Sequence, residues 1–193
     1  MKILAIDSSG LVASVAVLED DVLLAEYTVN YKKTHSQTLL PMLDAAAQMI
    51  ELDLDTLDAV AVAGGPGSFT GLRIGSATAK GLGLALGKPL ISVPTTAALA
   101  YNLYDAEGFI CPMMDARRSQ VYTGIYRFDK HEMKTVLEQK AMSVEDAAAE
   151  LNRLGGPAIL LGDGTAVYME KLEELLKVPF SAAPPHLSRQ RAG

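Results

Sequence analysis

Three carboxylates stand where apolar runs give way to turns: Asp7, Asp115 and Asp163. In a doubled fold such carboxylates can hold a magnesium-bound phosphate. The same residues also serve simply to switch a strand into a turn. The other place where chemistry would gather is the glycine-rich stretch AGGPGSFTGLRIG, residues 63–75, which follows an apolar run and opens a helical pattern. Exposed amides in that setting cradle phosphates. A Walker loop, however, needs Lys and then Ser or Thr after its last glycine, and here Leu72 follows Gly71. A dinucleotide loop needs an acid about 20 residues further on to hold the ribose. No Asp or Glu occurs between Asp58 and Asp105.

The remaining reactive types are scattered. Ser68 lies outside any Gly-x-Ser-x-Gly elbow. His35, His131 and His186 have no partner at helical spacing, which excludes a His-x-x-x-His metal site. Arg117 and Arg118, in a turn, are the side chains best placed to meet an anion. Asp7, Ser8 and Asp115 are the candidates for touching a cofactor.

The elements that must position these residues fall into a repeated order. Apolar runs at 2–6, 11–18 and 22–30 read as a three-stranded meander. The period then changes: Leu39, Leu43, Ala46 and Ile50 mark a helix over 36–51, which Thr34 or Ser36 can cap. Pro41 belongs in its first turn or else kinks it. A strand at 58–63, a helix from about Thr70 to Leu86 stopped by Gly87, a strand at 90–93 and a helix at 95–104 follow. The second half repeats the order, with strands at 109–114, 120–128 and 133–140, a helix capped by Ser143, a strand at 158–161 and a helix at 165–177. This predicts a duplicated α/β fold of two βββαβα halves, residues 1–105 and 106–180, the second incomplete. Residues 181–193, with Pro184-Pro185 and no apolar period, read as a disordered tail.

One helix carries an unusual row. Gly71, Gly75, Ala79, Gly83 and Gly87 recur every four residues and so share a face. Each glycine inside a helix costs about 1 kcal/mol against alanine. A flat face offsets that cost where a second backbone comes close, from this chain or another. The earlier helix adds Met42, Ala45 and Met49 beside its core stripe, and methionine adapts well to interaction surfaces. Two readings stand on spacing alone: these faces are buried in the chain's own core, or Met42, Ala45, Met49, Gly71, Gly75, Ala79 and Gly83 meet a partner.

Composition narrows the classes. The 193 residues are 49% hydrophobic, enough for a real core, with a net charge of -6. That acidity argues against a surface that itself grips nucleic acid. The single Cys111, in an apolar run, reads as a core thiol. No run of about 20 uncharged apolar residues spans a membrane. The expected compartment is the cytoplasm.

Five motifs in order, MKILAIDSS, THSQTLLPML, GGPGSFTGLRIG with its helix, VPTTAALA and MDARRSQVY, resemble the TsaB (YeaZ) family from Met1 to Phe128, with a fainter continuation to Pro179. That family belongs to the actin-like/sugar-kinase/Hsp70 superfamily. The resemblance implies a non-catalytic, activating subunit for making N6-threonylcarbamoyladenosine at A37 of tRNA. It implies a TsaD-type paralogue that holds the metal and performs the transfer, and a TsaE-type ATPase. ATP and metal are then used through the partners, with no cofactor of this chain's own, and tRNA is met through the complex. The paralogue's His-x-x-x-His motif has no counterpart in VPTTAALA, residues 93–100. The family's heterodimer surface maps onto the helices at 36–51 and 70–86, and the same face would make a homodimer of the isolated chain. The alternative is an ATP-dependent small-molecule kinase of the same fold.

Overall fold

The computed structural model describes residues 1–31 and 34–193. They divide into two units, residues 1–95 with 190–193, and residues 96–189.

In the first unit, β1 (Lys2–Asp7), β2 (Ala13–Glu19) and β3 (Val22–Val29) form the antiparallel meander, followed by α1 (His35–Met49), β4 (Ala59–Gly65), α2 (Phe69–Leu86) and β5 (Leu90–Pro94). The sheet order is β3-β2-β1-β4-β5, with β4 parallel to both β1 and β5. The two-residue period of β1 sends Leu4 and Ile6 to one face and Ala5 to the other. Leu4 and Ile6 join Val15, Val17, Leu39, Leu43 and Ala79 in one core, so α1 and α2 cover the same face of the sheet. Ala5, Ala16 and Ala61 form a smaller cluster on the reverse face.

Helix ends follow the sequence closely. The Ser68 hydroxyl accepts from Gly71 N (3.2 Å), and Gly87 closes α2 in the left-handed region (φ 65°). Ser143 caps its helix by accepting from Asp146 N at 3.0 Å. Thr34 occupies the N-cap of α1 without a side-chain bond to a backbone amide. Pro41 sits beyond the first turn of α1, and the helix runs on to Met49.

The second unit opens with α3 (Thr95–Tyr101) and continues through β6 (Phe109–Arg117), β7 (Gln120–Asp129), β8 (Glu132–Ser143), α4 (Val144–Leu154), β9 (Ala158–Leu161), α5 (Asp163–Val167), α6 (Met169–Leu175) and β10 (Phe180–Ala182). Its sheet order, β10-β9-β6-β7-β8, repeats that of the first.

Three expectations need correction. The division falls at Thr95/Thr96 rather than near 105, because Leu99, Ala100 and Leu103 pack with Ile110, Met114, Tyr126 and Leu161 in the second unit's own core. The helix expected at 165–177 is two helices, interrupted at Tyr168 (φ -112°), whose hydroxyl donates to Asp115 Oδ1 at 2.8 Å. The stretch 181–193 is not a disordered tail, and the second half does not lack its last strand. Phe180–Ala182 pairs in parallel with Ala158–Leu160. Backbone pairing asks for no apolar period, so the prolines that follow hid a strand ending before them. Asn102 Nδ2 then donates to the Leu187 and Arg189 carbonyls at 2.9 and 2.7 Å. In the first unit Gln190 is buried, Ala192 N donates to Ser14 Oγ at 3.0 Å, and Arg191 pairs with Glu26.

Among the described residues no helix is long and apolar enough to cross a membrane.

Candidate functional site

The glycine loop is already occupied by its own chain. Ser68 N donates to the Ser9 carbonyl at 2.7 Å, and Ser8 Oγ donates to the Gly71 carbonyl at 2.9 Å. A Cβ at Gly67 would stand 2.3 Å from Ser9 O, one at Gly71 2.0 Å from Ser8 O, and one at Gly75 2.4 Å from Ser8 Oγ. At Gly83 it would meet Leu90 Cδ2 at 2.7 Å. The missing side chains therefore make room for the turn between β1 and β2 and for β5. Gly71, Gly75, Ala79 and Gly83 are buried inside their own unit, not on an interface. Met42, 6% exposed, belongs to the same core, and Ala45 is half-buried. Of the seven predicted contact residues Met49, 75% exposed, is the one fully open to solvent.

The structure brings Asp7 and Ser8 together in that turn, where both are spent on holding it. Asp7 accepts from Ser9 N and Ser9 Oγ at 2.8 and 2.6 Å. Burial raises its carboxyl above the usual range, and the two bonds from Ser9 oppose the rise. His35 Nε2 lies 2.9 Å from the Gly10 carbonyl, which it reaches as the donor. His35 thus packs and bonds the turn, as a residue beside the helix start is expected to.

Asp115, the third cofactor candidate, lies in the second unit. Its Oδ1 accepts from Arg117 N and from the Tyr168 hydroxyl, each at 2.8 Å. Asp163 Oδ1 accepts from Asp115 N at 3.3 Å and from Gly164 N at 3.1 Å. Burial and then the neighbouring Asp115 raise the Tyr168 hydroxyl above its ordinary value. Arg117, Arg118 and Ser119 form a left-handed hairpin turn (φ 65°, 53° and 58°) that leaves both arginines exposed. Burial pushes the Cys111 thiol up to about 12, so it stays a neutral core group. Among the described residues no three His, Cys, Asp or Glu side chains are grouped to hold a metal ion.

The surface that remains open is the outer side of α1 and α2. Phe69 is 69% exposed, Leu84 87% and, on α1, Leu40 55%. Large apolar side chains this exposed, gathered on two neighbouring helices, mark an interaction surface. On α2 the outward line is Phe69, Arg73, Ala77, Lys80 and Leu84, running opposite the glycine row. A shift of two residues turns a helix by about 200°. The signal was in the sequence: the same four-residue period, read two positions later, gives the face that the glycine row does not. The Arg73 guanidinium lies over the Phe69 ring, 3.9 Å from its centroid. A groove of about 640 Å³ follows this flank of α2, floored by Val62, Leu72 and Leu90. On α1 a second hollow of about 410 Å³ lies at Pro41, which has no N–H to give the Gln37 carbonyl.

Comparison with known proteins gives a consistent set of matches. The family profile described as TsaD: tRNA N6-adenosine threonylcarbamoyltransferase matches residues 22–183. The tRNA threonylcarbamoyladenosine biosynthesis protein TsaB of Bacillus subtilis is 35% identical over 176 residues, covering 91% of this chain and 77% of that protein. The solved structure of YeaZ from Pseudomonas aeruginosa superposes with a TM-score of 0.80 at 28% identity, covering 99% of this chain and 86% of the other. The ethanolamine utilization protein EutJ of Carboxydothermus hydrogenoformans, at 12% identity and a TM-score of 0.54 over 97% of this chain and 87% of that one, shares the fold alone.

Proposed function

We propose, from the premise that this chain belongs to the TsaB (YeaZ) family, that it serves tRNA threonylcarbamoyladenosine biosynthesis as a partner subunit without chemistry of its own. The actin-like fold places two helices on one face of the first sheet, and their outer sides are left for a neighbour. The reading assigns that surface to a TsaD-type paralogue, which supplies the metal-dependent transfer, with a TsaE-type ATPase completing the assembly. ATP, metal and tRNA then enter through the complex. The observation that carries the reading is the exposed apolar set Leu40, Met49, Phe69 and Leu84 on α1 and α2. The occupied glycine loop supports it from the other side. Its close approaches are taken by Ser8 and Ser9, so the motif builds a turn-on-helix contact where a phosphate cradle would need free amides.

Co-expression with a TsaD-type paralogue and a mass measurement on the eluted species tests this. A stable complex with the wild type, lost in Phe69→Glu while the melting curve is unchanged, is the expected result. Absence of a complex with the wild type overturns it. Tight binding of Mg-ATP by the isolated chain in calorimetry also contradicts it and favours the kinase alternative.

A further inference from the structure

The groove along α2 has a chemistry more specific than apolarity. Its rim carries Arg73 and Lys80, and its lining contains no carboxylate. This is a local inversion in a chain of net charge -6. From Ala59 to Tyr104 there is no Asp or Glu, whereas Arg73, Lys80 and Lys88 all fall in that stretch. Lys88 Nζ donates to the Asp55 carbonyl at 2.8 Å. Arg73 and Lys80 make no ion pair among the described residues. Their spacing of seven residues brings them back to nearly the same side of α2, about 10.5 Å apart along its axis. Between them Ser76 and Ala77 keep the helix surface low, so another backbone can come close.

The shape selects among occupants. A strand added to the free edge of β5 would find few backbone bonds, because Pro89 precedes this five-residue strand and Pro94 ends it. A second copy docked α2 to α2 would set Arg73 and Lys80 against the same cations of its twin, which costs stability. A helix from a different chain meets neither objection. It can lay an apolar stripe over Leu72 and Leu90 and reach both cations from one side.

We propose that the groove beside α2 receives an amphipathic helix of the partner subunit, bearing two carboxylates two turns apart that pair with Arg73 and Lys80. This rests on the reading that a TsaD-type paralogue docks on the α1–α2 face, and it deepens that reading by stating the charge the paralogue presents there. Long-range attraction between the two surfaces then makes the association salt-sensitive.

The test is the dissociation constant for the TsaD-type paralogue at low and at high salt, for the wild type and for the double variant Arg73→Glu/Lys80→Glu. Both positions are exposed, so melting curves of wild type and variant should coincide. The expected result is that the double reversal weakens binding at least about tenfold at low salt and that added salt relieves the loss, since like charges then face each other across the contact. Arg73→Lys/Lys80→Arg, which keeps both charges, should bind within about twofold of the wild type. Wild-type and charge-reversed chains that bind equally, with the same salt dependence, overturn the proposal and leave the docking surface itself standing. A wild type that does not bind the paralogue at any salt overturns the parent reading and this one together. Two other outcomes reassign the groove and end the proposal. One is an isolated chain that dimerises through these cations. The other is AMP or ATP binding to the isolated chain that the reversal abolishes.

Discussion

The inward and outward faces of α2 solve opposite problems with the same four-residue spacing. Inward, Gly71, Gly75, Ala79 and Gly83 are small because the turn at Ser8–Ser9 and the strand β5 come within contact distance. Outward, Phe69, Arg73, Lys80 and Leu84 are large, and the chain itself leaves them uncovered. The inward residues are a structural requirement of this one subunit. The outward ones gain nothing for it when alone, since exposing apolar surface to water is unfavourable. A helix that is costly on one side for its own fold and on the other for solubility is explained when a neighbour covers the second side.

The largest effect should come from filling the inward row. Gly71→Ala sets a methyl 2.0 Å from the Ser8 carbonyl, a backbone atom that cannot step aside. A loss of about 3 kcal/mol, the upper end for overpacking, is expected in denaturant melts. A variant as stable as the wild type would mean the contact is loose and the row is free for a partner after all. Next comes the outward face. Leu84→Glu should leave the melt within about 0.5 kcal/mol of wild type, as surface changes do. It should nevertheless weaken paralogue binding at least tenfold, or about 1.4 kcal/mol. Removing the cap with Ser68→Ala should cost about 1 kcal/mol, because Gly71 N loses its acceptor.

Gly81 sharpens the comparison from within the same helix. Nothing lies within 4 Å of its missing Cβ. Gly81→Ala should therefore stabilise by about 0.5–1 kcal/mol, the helix propensity difference, where the same change at Gly71 destabilises. The smallest effect concerns Asp7 beneath the row. Its folded pKa lies above the ordinary value of 3.8 because burial disfavours the charge. The folded state then holds its proton more tightly than the unfolded one. The stability this contributes is full below that ordinary value and is lost as pH rises through the raised one. Asp7→Asn, which does not titrate, should lack this slope. Paired urea melts across the acid range check it, and a wild-type stability that climbs relative to Asn over this window contradicts the assignment.

Much of the fold was legible because its signals are periodic. The change from alternation to a helical period located α1, α2 and α4, and Ser143 and Gly87 marked ends that the structure keeps. The repeat of element order gave the duplicated sheet arrangement. What failed depended on distant partners. The row at Gly71 and Gly75 announced that a backbone approaches, but spacing does not say which one, and the answer lies more than 60 positions earlier at Ser8. The break at Tyr168 follows from a hydroxyl drawn to Asp115, 53 positions away, which no local pattern of residues 165–177 reveals. Likewise β10 owes its place to the backbone of β9, and three residues carry no period to read.

The account's central claim is that the outer side of α2 is a docking surface and the inner side is not. It is tested most directly by light scattering on the purified chain mixed with a TsaD-type paralogue, comparing wild type with Leu84→Glu. The account predicts a heterocomplex mass for the wild type and two separate species for the variant, both chains giving the same melting curve. A Leu84→Glu chain that forms the complex as fully as the wild type would contradict it.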